Sequence, residues 1–321
     1  MDELHECVQN GNWESINWMA WSNDVPVDME ELRSVLEAQD FSRTAFDEWV
    51  KDVITPSYLS ILLSGADTWN EWRANHSEVP LVFDGLHIPS DPWEELDLAG
   101  VNLANASFQG TVFGSVSLRK ANLANSDFSS ADMRKCILSE ASFRESQLSN
   151  VDLQSMDLAG CDFTGATMCN ADLRSSNLTG CKFVNANLSG AIIRSGNMSH
   201  ADFSSAILEG AQLDTATILQ AKFVNSRLAG ANIGRSVLAG SNFNGADLTS
   251  VHAWECKLND CNLAHSVLCG AMLDFSTLHR ANLQSANLSG ASVRSLKLRD
   301  ANTNGMILNG ARHADEIWWY D

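Results

Sequence analysis

A five-residue period runs through most of the sequence and limits the possible folds more than any other feature. From Leu98 to Leu308, every fifth residue is large and apolar, except Ala253 and Thr303. The residue two positions earlier is usually Ala, Ser or Cys, and the same phase extends back to Leu81. A period of five fits neither an α-helix nor a flat strand. The chain must therefore make one short side per pentad and then turn a corner.

A second period of 20 residues predicts how many sides make one coil. Phe recurs at six successive steps of 20: Phe143, Phe163, Phe183, Phe203, Phe223 and Phe243. Residues 20 apart therefore share an environment, which indicates four pentads per coil and a mainly β, four-sided solenoid. Residues 81–310 would form about 11 coils at a spacing of about 4.8 Å. Because the phase never slips, we also expect no inserted loop.

Each position of the pentad has its own predicted environment. The central residue points into a narrow lumen, which must be dry and close-packed, so the six Phe residues form a core stack. The residue two before it also points inward, but lies near a corner where only a small side chain fits. The other three positions face water, and Asn or Asp just before the centre can bond neighbouring backbone at the bends.

The individual pentads resemble those of the pentapeptide-repeat family. They include Ala-Asn-Leu-Ala-Asn at 121–125, Ala-Asp-Leu-Arg-Ser at 171–175, and Ala-Asn-Leu-Ser-Gly at both 186–190 and 286–290. The segment Trp-Asn-Glu-Trp-Arg at 69–73 is similar to a short lead-in that often precedes such repeats. The resemblance implies a right-handed quadrilateral β-helix.

Residues 1–80 differ from the repeat and predict a small helical domain. They contain six of the ten tryptophans and 16 acidic residues against 4 basic ones. Amphipathic helices are expected after the N-cap Asp28, around Trp49, before Gly65 and around Trp69. This domain would either cap the open edge of the first coil, because unpaired strand edges invite aggregation, or recruit a protein partner.

The tail, residues 311–321, is rich in aromatic side chains. It contains Trp318, Trp319 and Tyr320. Either these residues cap the last coil, or they form an exposed aromatic patch through which two copies form a homodimer.

Net charge excludes several classes of function. The formal charge is −19, with 40 acidic and 21 basic residues. A protein that binds nucleic acid by contacting phosphates needs clustered Lys and Arg, and a polybasic membrane anchor needs them too. No apolar stretch is long enough to span a bilayer, and the first residues do not form a secretion signal. We therefore expect a cytoplasmic protein with no nucleic-acid or membrane partner.

No arrangement of residues predicts catalysis or a cofactor. The sequence has no phosphate-binding glycine loop and no nucleophile elbow, so we expect a protein that is not an enzyme. His252, Cys256, Cys261 and His265 have spacing like that of a zinc site. The pentad register turns the two cysteines inward and the two histidines outward, which prevents them from meeting at one ion. We expect no metal and free thiols.

The pentapeptide-repeat resemblance also raises the question of DNA mimicry. Well-known members of that family resemble B-DNA in width and negative charge and bind type II topoisomerases such as DNA gyrase. Here Asp132, Asp152 and Asp172 form one acidic column. Arg134 and Arg174 lie close to it, and residues 81–310 contain 21 acidic and 16 basic residues. The column should thus be largely neutralised.

Trp254 is the outward residue that departs most from the pattern. It follows the undersized centre Ala253 and precedes Glu255. It would either fold back over that defect or form a binding spot, a role for which Trp is favoured.

Three hypotheses for function remain open. The first is a non-catalytic scaffold or adaptor that binds a protein partner. The second is a DNA mimic that binds gyrase or another type II topoisomerase, in antibiotic resistance or in topoisomerase modulation. The third is a secreted bacterial effector.

Overall fold

The computed structural model describes residues 55–88 and 96–319. The helices predicted after Asp28 and around Trp49, and the residues Trp93 and Tyr320, lie outside the described residues. None of the described helices is long or apolar enough to cross a membrane.

Two short helices are followed by a long stack of parallel strands. Helix α1 spans Thr55–Leu63 and α2 spans Ala66–Asn75. The strands are two residues each: β1 Leu81–Val82, β2 His87–Ile88, β3 Leu96–Asp97, β4 Ala106–Ser107, β5 Val112–Phe113 and β6 Val116–Ser117. Strand β1 pairs with β4, β2 with β5 and β3 with β6, all parallel. Farther along, single parallel bridges link residues 20 apart, from Asn102↔Asn122 to Ser292↔Arg312. This confirms the predicted four-sided solenoid.

The first coil is longer than the others, so the expectation of an uninterrupted stack is wrong. Leu81 pairs with Ala106 and Ile88 with Phe113, each 25 residues on, whereas Leu96 pairs with Val116, 20 residues on. The extra five residues therefore lie between Ile88 and Leu96. An insertion of one whole pentad leaves the five-residue phase intact, which is why the phase did not reveal it. The count of about 11 coils stays a prediction.

The core is a column of side chains inside the lumen. The six phenylalanines from Phe143 to Phe243 are at most 1% exposed. Consecutive rings stack with centroids 4.6–5.1 Å apart and planes within 9°. Three further phenylalanines continue the stack toward the N-terminus on the adjacent side of the lumen: Phe83, Phe108 and Phe128. Phe128 meets Phe143 edge-on at 5.5 Å.

The corners require a left-handed backbone. The second residue after each pentad centre has positive φ at almost every corner, for example 55° at Asn170 and 67° at Gly190. The next amide then returns to the carbonyl of the centre, as in Ala171 N to Met168 O at 3.1 Å. This is the geometry of a type II turn, which favours Gly or Asn at its third residue. The glycine column in the sequence follows from it.

The small inward residues also bond the backbone of the preceding coil. Ser176 Oγ donates to Leu153 O at 2.6 Å, and Cys161 Sγ donates to Leu138 O at 3.0 Å. Burial raises the pKa of the Cys161 thiol to about 12, so the thiol stays protonated. Ala, Ser and Cys alternate at this position because a group of that size fits the corner and a hydroxyl or thiol finds a carbonyl there.

Helices α1 and α2 cover the edge of the first coil. Tyr58 Oη donates to Val82 O at 2.8 Å and accepts from Val82 N at 2.6 Å. Trp69 Nε1 donates to Asn102 O at 2.6 Å. The Asn70 amide donates to Gly100 O at 3.0 Å and accepts from Asn102 N at 2.7 Å. These side chains occupy the hydrogen-bonding positions that another coil would use.

The C-terminal end is covered less completely. The backbone ladder continues beyond the predicted boundary at residue 310, because Arg312 pairs with Ser292 and Trp318 pairs with Lys297. The second pair is 21 residues apart, and the extra residue is taken up by the 3₁₀ turn Ala314–Glu316. The last inward residues, Met306 and Leu308, are only half-buried.

One small void interrupts the packed lumen. An apolar cavity of about 10 Å³ lies beside Ala253, walled by Ile233, Phe243, Leu273 and other inward side chains. Ala253 occupies a position that is Leu or Ile in the coils above and below, so the missing side-chain volume accounts for the void. The walls offer no polar partner, and such cavities stay dry.

We expect Phe183→Ala to lower the free energy of unfolding by about 3–5 kcal/mol, because it empties a fully buried aromatic site. Urea denaturation followed by circular dichroism measures this. Val184→Ala, in the same pentad but facing outward, is the matched control and should cost less than about 1 kcal/mol. Equal costs for the two variants would contradict the inward assignment.

The capping contacts can be tested within α2. Asn70→Ala removes both bonds to the first coil and should cost about 1–2 kcal/mol. Asn75→Ala is the control, because the Asn75 amide bonds only Glu71 O within the helix and both changes introduce the same residue. If the two variants unfold at the same urea concentration, α2 does not stabilise the coil edge through Asn70.

Candidate interaction surface

One side of the β-helix carries most of the residues that the sequence singled out. Its outward residues include Asp132, Asp152, Asp172, Trp254 and Glu255, and parallel bridges such as Asp152↔Asp172 stack them in register. We call this side the Trp254 face. Trp318 and Trp319 lie at the C-terminal end of the stack, on the last turn of the chain.

Two of the three aspartates in the column are neutralised within their own pentads. Arg134 donates to Asp132 through Nε at 2.9 Å and through a terminal nitrogen at 2.7 Å, and Arg174 holds Asp172 in the same way. The hydrogen bonds from Arg134 lower the pKa of the Asp132 carboxyl. Partial burial opposes the ionisation of Asp172, but the bonds from Arg174 outweigh it and lower its pKa too. Asp152 forms no ion pair in the described part of the chain; it accepts a bond from Gln154 N at 3.1 Å.

Other carboxylates on the shaft are paired in the same manner, but between coils. Arg194 lies 2.8 Å from Asp214, Lys222 lies 3.3 Å from Asp202 and Arg280 lies 2.6 Å from Asp260. All of these pairs are partly exposed, so they contribute little to stability. Their effect is electrostatic: they remove much of the negative potential that a phosphate-like ladder would need.

Trp254 does not fill the void beside Ala253. Its ring lies outside, against the preceding coil, where a Cβ at Gly234 would be 2.7 Å from Trp254 Nε1. The guanidinium of Arg235 stacks on the ring at 4.2 Å from the centroid, and its Nε donates to Glu255 at 3.1 Å. A glycine beneath, an arginine over the face and a carboxylate behind the arginine therefore hold the indole in one orientation.

Two exposed apolar residues lie on the next coil, and sequence reasoning missed both. Met272, which pairs with His252 in the ladder, is 41% exposed, and Phe275 is 53% exposed. Phe275 also has a φ of 62°, a left-handed conformation that is uncommon for a bulky residue. The signal was visible in the sequence, because other corner residues are mainly Gly, Asn, Ser or charged. We call Trp254, Met272 and Phe275 the Trp254 patch.

The aromatic tail forms the last partial turn. Ile317 is buried, whereas Trp318 and Trp319 are 54% and 41% exposed. Trp318 donates its amide to Leu296 O and accepts from Leu298 N, both at 2.8 Å, and Lys297 Nζ lies 5.8 Å from its ring centroid. The amides of Thr303 and Leu308 form no backbone hydrogen bond among the described residues, so this edge stays partly open.

The structure separates the four residues with zinc-like spacing. Cys256 and Cys261 donate to Ile233 O and Leu238 O inside the lumen, while His252 and His265 are exposed. Across residues 55–88 and 96–319, no grouping of His, Cys, Asp and Glu could hold a metal ion.

The repeats match one family model. Eight copies of the pentapeptide-repeat model together cover residues 97–218 and 220–284, which is more than half of the chain. No curated protein sequence is significantly similar to the chain.

Several solved structures of repeat proteins resemble this one. HetL, a pentapeptide repeat protein involved in heterocyst differentiation regulation in the cyanobacterium Nostoc sp. strain PCC 7120, is 23% identical, with 76% of this chain and 93% of HetL covered and a TM-score of 0.34. Rfr23 from the cyanobacterium Cyanothece 51142 is 30% identical over 28% of this chain and 64% of its own, with a TM-score of 0.18. QnrB1, a plasmid-mediated fluoroquinolone resistance protein, is 16% identical over 73% of this chain and 91% of its own, with a TM-score of 0.23.

The family assignment thus rests on the repeats themselves, and both the predicted family and the predicted fold class are confirmed. The chain belongs to the pentapeptide-repeat family, whose members fold as right-handed β-helices.

Proposed function

We propose that the protein is a non-catalytic interaction scaffold that binds a protein partner through the Trp254 patch. The observation that carries the proposal is Phe275, an aromatic side chain that is half exposed and held in a left-handed backbone conformation. A non-glycine residue in this conformation costs roughly 1–2 kcal/mol, and the exposed ring gains little from burial. The fold does not need Phe275, and so a contact with another molecule is the better explanation.

The composition and rigidity of the patch fit this role. Trp, Phe and Met are enriched at protein interfaces relative to the rest of the surface. Trp254 is held by Gly234 and Arg235, so little side-chain freedom would be lost on binding. The coils beneath are locked by the ladder and the filled lumen, which makes the patch part of a stiff surface.

The acidic region before the β-helix supplies a second contact in the adaptor form of the proposal. Residues 1–80 have 16 acidic and 4 basic residues, and in the described part α1 and α2 contact the first coil. A basic partner surface would be attracted to this end over roughly a Debye length, about 8 Å at physiological salt.

Affinity capture from the native cell extract, using full-length protein as bait, tests the scaffold proposal. Phe275→Asn should abolish capture of the partners that use the patch, and it should not lower thermal stability, because Asn suits a left-handed corner. Leu219→Asn, which replaces an exposed aliphatic side chain on another side of the shaft, is the matched control. Equal capture by the wild type and by Phe275→Asn would contradict the assignment of the patch.

The adaptor form has its own comparison. Residues 55–321 keep α1 and α2 and remove only the preceding acidic segment. If that segment recruits a partner, this shorter chain loses specific bands that full-length bait retains. Identical bands from both baits would end the adaptor form and leave the patch proposal standing.

Binding to a type II topoisomerase by imitation of DNA is the less favoured alternative. The pairing of Asp132 with Arg134 and of Asp172 with Arg174 interrupts the negative column that such imitation requires. We therefore expect purified protein at micromolar concentration neither to inhibit supercoiling by gyrase nor to protect gyrase from a quinolone. Inhibition that weakens when Asp152 is changed to Asn would overturn this expectation and favour the DNA mimic.

A further inference from the structure

We infer that the Trp254 patch binds a second copy of this chain, forming an antiparallel side-by-side dimer about a two-fold axis at the level of Asp274. The inference rests on the proposed use of the patch as a binding surface and names the partner. It differs from the tail-mediated homodimer, in which Trp318 and Trp319 would meet end to end.

Symmetry pairs the apolar residues of the patch with one another. A two-fold axis perpendicular to the Trp254 face places the same surface of both copies in contact. Met272 and Phe275 lie on the same coil, on either side of Asp274. An axis between them sets Met272 of one copy against Phe275 of the other, twice over. A thioether against an aromatic ring is a favourable contact.

The charged residues around the patch are complementary under the same rotation. Arg235 and Glu255 lie on the Trp254 side of the axis, and Arg294 lies one coil beyond Asp274 on the other side. The rotation brings Arg294 of one copy toward Trp254 and Glu255 of the other. The Arg294 side chain is 49% exposed and its closest carboxylate contact is a long one, 3.9 Å to Glu316, so the guanidinium can reach outward. The Glu255 side chain is also 49% exposed.

Antiparallel packing also limits the repulsion between two chains of charge −19. The acidic residues 1–80 precede the first coil, whereas the patch lies nine 20-residue steps beyond Leu96, about 43 Å along the stack. In an antiparallel pair the two acidic ends point away from each other and lie far beyond the Debye length of about 8 Å. A parallel pair would place them side by side.

The contact is small, so the dimer should be weak. Only the few coils between Arg235 and the end of the chain can overlap symmetrically about Asp274. Such an area belongs to the lower end of the range for specific interfaces. Dimerisation should therefore depend on concentration, with a dissociation constant in the micromolar range.

Sedimentation equilibrium of the purified full-length protein in reducing buffer tests the inference. The apparent mass should rise from the monomer value of 35.0 kDa toward twice that value with concentration. Phe275→Asn should weaken dimerisation at least about tenfold without lowering the melting temperature, which separates loss of contact from loss of fold. Leu219→Asn should leave the association unchanged.

A charge exchange tests the predicted geometry. Glu255→Arg and Arg294→Glu should each weaken the dimer, and the two together should restore part of the association, because the exchanged charges again oppose each other across the axis. Absence of any rescue, with both single variants folded, would overturn the antiparallel arrangement.

Two further results would overturn the inference. One is a monomer at every concentration up to about 0.5 mM, well above a micromolar dissociation constant. The other is a dimer that Trp319→Ala abolishes and Phe275→Asn does not, which would place the contact at the tail. If purified protein is monomeric but Phe275→Asn still loses partners in the extract capture, the proposed function stands and the second copy is wrong.

Discussion

The narrow lumen is the constraint on which the rest of the structure depends. Four short sides leave room for one large and one small inward side chain per pentad, and these side chains must fill the space, because a dry void forfeits packing energy. The phenylalanine column and the alternation of Ala, Ser and Cys both satisfy this requirement. Each coil rests mainly on its neighbours, as in other repeat proteins. The outward positions are consequently free to vary with little effect on folding.

That freedom explains how the surface can carry features unrelated to the fold. Arginines and aspartates on the shaft pair within a coil, as Arg134 and Asp132 do, or between coils, as Arg194 and Asp214 do. The surface they form is largely neutral despite the charge of the chain. Against this background the Trp254 patch is distinct, since it combines exposed apolar side chains with a constrained backbone. The two ends also differ: α1 and α2 occupy the first edge, while the last coil leaves Met306 and Leu308 half-buried.

The sequence allowed much of the fold to be predicted, because burial in the lumen fixes one residue type per position. It predicted the inward column, the corners and the period of 20. It did not predict the 25-residue first coil, since a whole extra pentad preserves the phase; Trp93 at a central position and the nearby Pro89 and Pro92 were the only signs. Of the patch, it identified Trp254 but not Met272 or Phe275. Exposure of an outward side chain depends on its neighbours one coil away, and a single-sequence pattern does not encode them directly.

Amide hydrogen exchange, resolved along the full-length chain, tests the stacked lumen most directly. Amides in the coils from Phe143 to Phe243 bond the coils on either side, so their exchange should require opening of the stack and be the slowest in the protein. Exchange should quicken progressively toward Thr303 and Leu308 at the open end. Rapid exchange throughout the phenylalanine coils, under conditions where the protein is folded, would contradict the account.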